Sequence, residues 1–346
     1  MFIYDEKFVS KKEGYYYSCP WIEHGLVFFK YKLATCCNCA HEGASQALIR
    51  NNYVGQRINW DRIFAIKDMY RKFHKKGKIH ANCINCPSLK EDRWNNDKYI
   101  DNLYISHWSE CNSNCIYCYA AHNSDDFKGE ARYNVLPLLK EMFYSGYLRA
   151  GGLISFGGGE PTVLKEFEDI ITFLLDNYFY GIRVHTSGIK YSPALARAIN
   201  EIRGYVVVSV DAGDRETYKK IKRIDKYNEV RETIRKYALH TIFLSRYFVS
   251  AKYIIIPGIN DTKEQLENWL QANYDSGLFT TVLDLEENWY LEHKDNIPQY
   301  IFDLVKYAEK RSKDFNTNFE LYERLQNVMA DYNAKKKPLI QKILKK

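Results

Sequence analysis

From residue 103 to residue 285 the chain alternates short apolar runs with amphipathic ones, a pattern that leaves few folds open. Strands are expected at Leu103 to Ser106, Leu153 to Phe156, Gly181 to Thr186, Tyr205 to Val210, Lys252 to Ile256 and Thr280 to Leu285. Helical periods fall between them at Val135 to Tyr147, Lys165 to Tyr178, Pro193 to Ile202, Asn228 to Tyr237 and Lys263 to Tyr274, and Pro298 to Phe315 follows. Ser192 precedes Pro193 at a first helical position, and Thr262 with Gln265 makes a capping box. Strands alternating with helices predict a parallel sheet with right-handed crossovers, either curled like a barrel or open and doubly wound. In both, ligands gather at the carboxyl ends of the strands.

Composition narrows the class further. With 346 residues, 46% of them hydrophobic, the chain is globular, and its high aromatic share, including 29 Tyr, reads as packing. No run of 18 apolar residues occurs, and Met1 to Ser10 lacks the charged start and apolar stretch of an export signal, so a cytoplasmic protein without membrane attachment is expected. The formal charge of +7 owes part of its excess to the stretch from Lys335 to Lys346, which reads as a solvated basic tail; nucleic acid is not an expected partner.

Nine cysteines in a reducing compartment point to metal or catalysis rather than to disulfides. They are confined to the first third of the chain. Cys19, Cys36, Cys37, Cys39, Cys83 and Cys86 occupy the first hundred residues, and Cys111, Cys115 and Cys118 follow just beyond the first expected strand. Three thiolates so close together are one short of the four that a four-iron cluster normally takes, which leaves one metal position open; a zinc site lacking its fourth ligand, or three buried thiols, remain the plainer readings.

The run Cys111-Asn-Ser-Asn-Cys115-Ile-Tyr-Cys118, with an aromatic residue before its last cysteine, resembles the signature of the radical S-adenosylmethionine superfamily. The resemblance implies a partial (β/α)6 TIM-type barrel and a [4Fe-4S] cluster on Cys111, Cys115 and Cys118. It implies S-adenosyl-L-methionine chelated at the open iron, cleavage to a 5'-deoxyadenosyl radical, and Tyr117 near the adenine.

A second motif, Phe156-Gly157-Gly158-Gly159-Glu160-Pro161-Thr162, follows the second strand. It lacks the Lys and Ser/Thr of a phosphate loop, and a carboxylate suits an ammonium better than a phosphate. In the resembled family a Gly-Gly-Glu at this place binds the methionyl ammonium, which implicates Gly158, Gly159 and Glu160. The resemblance extends to Ser209 and Asp211 at the end of the fourth strand, where ribose is bound; an ordinary helix cap by Asp211 or Asp214 is the alternative. Thr186-Ser187-Gly188 stands where the family has Thr-Asn-Gly, and Ile255 or Ile256 in the fifth strand is expected against adenine. Asp284 and Glu286 fall on one face of the sixth strand, where they suit a polar substrate; a solvated loop start is the alternative.

Three regions are expected: a cysteine-rich, irregular domain over 1–100, the barrel over 101–290, and a helical extension with the basic tail over 291–346. Within the first, Asp61 to Lys75 reads as a helix with Ile63, Phe64, Ile66, Met69, Tyr70 and Phe73 on its apolar face. Cys83-Ile-Asn-Cys86 is a metal half-site. An auxiliary cluster of the kind called SPASM or twitch, though that domain normally follows the barrel, is expected on Cys19, Cys36 or Cys37, Cys83 and Cys86, with zinc as the alternative; His41 is not an expected ligand. The resemblance implies an oxidoreductase or modifying enzyme that oxidises or cross-links a peptide and takes electrons from a donor such as flavodoxin or ferredoxin. Radical modification of a sugar or nucleotide is the alternative within that chemistry, and a zinc-containing nucleic-acid-binding protein is the alternative outside it.

Overall fold

The computed structural model describes residues 2–29, 32–36, 48–50, 58–95, 97–118, 133–241, 243–322, 324–332 and 334. Cys37, Cys39, His41 and the tail from Lys335 to Lys346 lie outside them. The chain is an α/β protein with a largely parallel sheet and two separate two-stranded antiparallel sheets, and it divides into two compact units. One comprises Met1–Glu110 and Ser124–Arg183; the other comprises Cys111–Asn123 and Val184–Lys346.

The first unit is more regular at its front than the sequence suggests. Its elements are β1 (Phe2–Tyr4), β2 (Tyr16–Ser18), α1 (Pro20–His24), β3 (Gly25–Phe29), β4 (Lys32–Ala34), β5 (Leu48–Arg50), α2 (Trp60–His74), β6 (Lys78–His80) and β7 (Lys90–Asp92). They are followed by β8 (Asn102–Ser106), α3 (Leu136–Tyr144), β9 (Ile154–Phe156) and α4 (Phe167–Asp176). β3 runs parallel to β8, with Gly25 opposite Asn102 and Phe29 opposite Ser106, and β8 runs parallel to β9. The run Leu26-Val-Phe-Phe29 is apolar throughout and wholly buried, as a strand covered on both faces requires.

Asn59 caps α2 by accepting the Arg62 amide at 3.0 Å, and the expected apolar face turns inward, with Ile63, Phe64 and Tyr70 buried. Each such side chain contributes about 2 kcal/mol through the area it removes from water. Lys67, on the same helix, is wholly buried and donates to the carbonyls of Trp21, Ile22 and Gly25 at 3.0, 3.1 and 2.7 Å. It thereby satisfies the Ile22 carbonyl near the end of α1 and adds a second donor to the Trp21 carbonyl, which already accepts the Gly25 amide.

The second unit continues with β10 (Ile182–Thr186), whose first two residues still belong to the first unit, then α5 (Pro193–Asn200), β11 (Gly204–Ser209), α6 (Arg215–Lys222) and α7 (Tyr227–Leu239). β12 (Val249–Ile255), α8 (Lys263–Asp275), β13 (Thr280–Leu285), α9 (Glu287–His293), α10 (Gln299–Asp314) and β14 (Asn318–Leu321) complete it. β11, β12, β13 and β14 are successive parallel neighbours. Ser192 and Thr262 cap α5 and α8 as their spacing predicts, accepting from Leu195 and Gln265. Alternation along β12 sends Tyr253 against Trp269 of α8, ring centroids 5.1 Å apart, while Lys252 and Ile254 take the other face. Among the described residues no helix is long and apolar enough to cross a membrane.

Candidate functional site

Cys111, Cys115 and Cys118 lie on an irregular loop of the second unit. Cys111 is exposed and the other two are half-buried; the Cys118 amide closes a turn onto the Cys115 carbonyl at 3.1 Å. The loop is attached to the last turn of α6, because the amides of Asn114 and Ile116 donate to the carbonyls of Lys222 and Ile221, each at 3.0 Å. Asn112 is tied to Ser187 through Ser187 Oγ at 2.9 Å from Asn112 Oδ1. Three accessible thiols on one pinned loop fit a cluster whose irons each need a soft ligand. Among the described residues no three His, Cys, Asp or Glu side chains close on a common point as ligands of one ion do. A cluster, however, distributes its thiolates over separate irons.

Tyr117 points inward rather than into solvent. Its phenol donates to Asp211 Oδ2 at 2.5 Å and accepts from Lys222 Nζ at 2.8 Å, and Lys222 also pairs with the same Asp211 oxygen. Burial, followed by the Asp211 carboxylate, raises the phenol well above its ordinary pKa. Asp211 Oδ1 accepts the Ile254 amide at 2.8 Å. Both oxygens of Asp211 are thus engaged inside the protein, which bears directly on the ribose role expected for it. Ser209, at the end of β11, is half-buried. Tyr117 and Ile116 pack against Ile221, Ile254 and Ile256; Ile255 belongs to the opposite face of the strand and is not in that cluster. Sequence reading passed over Lys222 because it sits in a run of basic residues. Its spacing from Tyr218, four positions on and next to Ile221, places it on the buried face of α6 and was the available signal.

In the first unit the glycine-rich turn packs against its own chain. Gly158 adopts φ +87°, and a Cβ there meets the Trp108 carbonyl; a Cβ on Gly159 meets the backbone of Ser109 and Glu110. The Gly159 amide donates to the Trp108 carbonyl at 3.1 Å and the Glu160 amide to that of Glu110 at 2.9 Å. The turn is therefore zipped to the residues immediately preceding Cys111 in sequence. Glu160 is 3% exposed, and its Oε1 accepts from the amide and hydroxyl of Thr162 at 3.2 and 2.7 Å.

The two carboxylates expected to share the face of β13 part company. Asp284 is buried and paired with Arg324 at 2.8 Å. Glu286 lies beyond the strand and caps α9, accepting from Asn288 and Trp289 at 3.1 and 2.7 Å. A residue past the last ladder pair is freed from strand alternation, and an acidic side chain before a helix is drawn to its unpaired amides.

Among the described residues the front cysteines come from three separate stretches of chain and do not close on a common point as ligands of one ion do. Cys19 opens α1 and its Sγ accepts the Ile22 amide at 3.4 Å, Cys36 packs against the core cluster containing Cys19, and Cys86 turns back onto Cys83, amide to carbonyl at 3.1 Å. Burial, with smaller contributions from Cys36 and Cys86, pushes the Cys19 and Cys83 thiols up to about 12, and Cys19 adds to the effect on Cys83. Thiols are soft donors, and metal binding to protonated ones releases protons.

Comparison with known proteins adds a family. Residues 105–270 match the Radical SAM superfamily. A probable GTP 3',8-cyclase of Pyrococcus horikoshii is 25% identical over 215 residues, covering 62% of this chain and 65% of its own length. The ribosomal RNA large subunit methyltransferase Cfr of Clostridium botulinum is 26% identical over 174 residues, 48% of this chain and 49% of its own. The chain thus spans between about half and two thirds of these curated relatives. Among solved structures, Streptococcus suis SuiB bound to its precursor peptide SuiA is similar with a TM-score of 0.49 at 10% identity, over 75% of this chain and 62% of that one.

Proposed function

From the radical SAM domain that residues 105–270 of the chain constitute, we propose an enzyme that cleaves S-adenosyl-L-methionine reductively and takes hydrogen from an organic substrate. The observation that carries this reading is the accessible trio Cys111, Cys115 and Cys118 on a loop fixed to α6. These thiols would hold a [4Fe-4S] cluster, leaving one of its metal positions open to a cosubstrate. When bound, the cluster and S-adenosylmethionine together supply the 5'-deoxyadenosyl radical. Gly158, Gly159 and Glu160 serve the methionyl ammonium, and Ser209 serves the ribose. Asp211 acts behind Tyr117, and the apolar contact to adenine passes from Ile255 to Ile256, which shares a face with Tyr117.

Cys19, Cys36, Cys83 and Cys86 would hold a second metal group, and we favour a [4Fe-4S] cluster, which would supply a one-electron acceptor there. Flavodoxin or ferredoxin supplies the first electron. The substrate we favour is a peptide, which is oxidised or cross-linked. A nucleotide is the second reading, supported by the similarity to probable GTP 3',8-cyclases.

Anaerobic reconstitution followed by iron and sulfide analysis tests the metal assignment. About eight irons per chain are expected with both clusters present, and about four leave the front thiols to zinc or to nothing. Zinc without labile sulfide overturns the reading. Deuterium transfer into 5'-deoxyadenosine from labelled peptides or from labelled GTP then separates the two substrate classes.

A further inference from the structure

Lys222 holds the cysteine loop twice. Its carbonyl accepts the Asn114 amide at 3.0 Å, and its ammonium donates to the Tyr117 phenol at 2.8 Å, one residue from Cys118 and two from Cys115. The side chain is 2% exposed and lies beside Asp211, which is wholly buried. A buried ion pair is a weak source of stability compared with apolar packing of the same volume, so its presence under the loop calls for another account.

The surroundings fix the pair rigidly. Asp211 is a non-glycine residue at φ +60°. Its carboxylate receives the Ile254 amide, and Asn260 spans the same segment, donating to the carbonyls of Asp211 and Ile254 at 2.8 Å each and accepting the Ile256 amide at 2.6 Å. α6 ends at Lys222 because Arg223 turns into the left-handed region, and this frees the last carbonyls of the helix for Asn114 and Ile116. The Asp211 carboxylate paired with it and the Tyr117 phenol at 2.8 Å hold the ammonium at the base of the thiol loop.

We infer that Lys222 is a positioning residue that, through Asp211 and Tyr117, sets the shape of the Cys111–Cys118 loop before a cluster is loaded and places a fixed buried cation against the Tyr117 phenol of that loop. This rests on the cluster proposed for those thiols. Left alone, the Asp211 carboxylate would oppose added negative charge on the cluster; the paired Lys222 cation cancels that opposition, so it makes reduction easier. Two roles follow for one side chain: it anchors Tyr117, and by compensating Asp211 it keeps the midpoint potential from falling.

The test uses the full chain reconstituted anaerobically, with Lys222→Met, the double variant Asp211→Asn/Lys222→Met, and Tyr117→Phe. The readouts are the midpoint potential of the EPR signal that is missing in Cys115→Ala, and the rate at which a ferrous chelator removes its iron. Lys222→Met is expected to shift the potential to more negative values and to lose iron several-fold faster. The double variant is expected to recover most of the potential, because charge leaves in a neutral pair. Tyr117→Phe keeps the ion pair and is expected to lose iron faster while its potential stays near the parent's. Parent-like potential and iron loss in folded Lys222→Met overturn the inference and leave the cluster assignment standing. If Lys222→Met does not fold, parent-like iron loss in Tyr117→Phe overturns it instead. A parent chain that takes up no labile sulfide overturns both readings together.

Discussion

The Glu160 amide donates to the Glu110 carbonyl at 2.9 Å, so the residue that ends the glycine run is bonded to the residue that precedes Cys111 in sequence. The glycines serve this approach. At Gly159 an added Cβ meets backbone, which cannot swing aside as a side chain can. Gly159→Ala is therefore expected to destabilise the fold by about 1–3 kcal/mol, read as a lowered urea midpoint in the metal-free chain. An unchanged midpoint rules out the zipper as a structural requirement.

The cysteine groups divide by reaction step. Cys115→Ala is expected to abolish reductive cleavage of S-adenosylmethionine under dithionite, whereas Cys83→Ala retains at least some cleavage and loses substrate turnover. Methionine and 5'-deoxyadenosine, quantified by chromatography, give the answer. Equal cleavage by Cys115→Ala and the parent refutes the cluster assignment.

Asp284 and Arg324 form a pair with one buried and one half-buried partner. Arg324→Met leaves a buried carboxylate without its cation and is expected to cost about 1–3 kcal/mol, discounted because the guanidinium keeps some contact with water. Asp284→Asn/Arg324→Met is expected to regain most of it. A double variant no more stable than the single one shows that the two residues do not depend on each other.

His74 supplies a pH dependence. It is 1% exposed among the rings of Phe2 and Tyr70, and burial lowers its pKa to about 4. Between about pH 4 and 6.5 the unfolded chain holds a proton that the folded chain does not, so stability rises with pH through this window and is complete above it. Moving from pH 7 to pH 5 is expected to cost about 2 kcal/mol through this residue. His74→Phe should remove that much of the dependence, leaving the smaller share from His24 and His80, which burial shifts the same way. Urea unfolding at the two pH values measures it, and equal slopes in parent and variant overturn the assignment.

The alternation after residue 100 was legible because each strand and helix declares its own period and caps, and the six expected strands appear within a few residues of their expected ends. β3 was not, since Gly25 to Phe29 is too short and too uniformly apolar to distinguish from other buried stretches, and its partner β8 lies more than seventy residues away. α6 was hidden by its lysines. The cysteine loop and the glycine turn were found as motifs, but what each touches depends on long-range contacts that no local pattern carries. Glu286 was misread for a related reason: the strand ends one residue before it, and the helix that follows claims its carboxylate.

The parallel register of β3 with β8, five residues long, has a bearing on how the chain can be divided. The front segment forms part of the wall of the sheet and is not a detachable module. A version beginning at residue 100 would bare the whole edge of β8 to solvent and to other chains, inviting self-association. Transplanting the front thiols onto another barrel would likewise fail unless β3 and its register travelled with them.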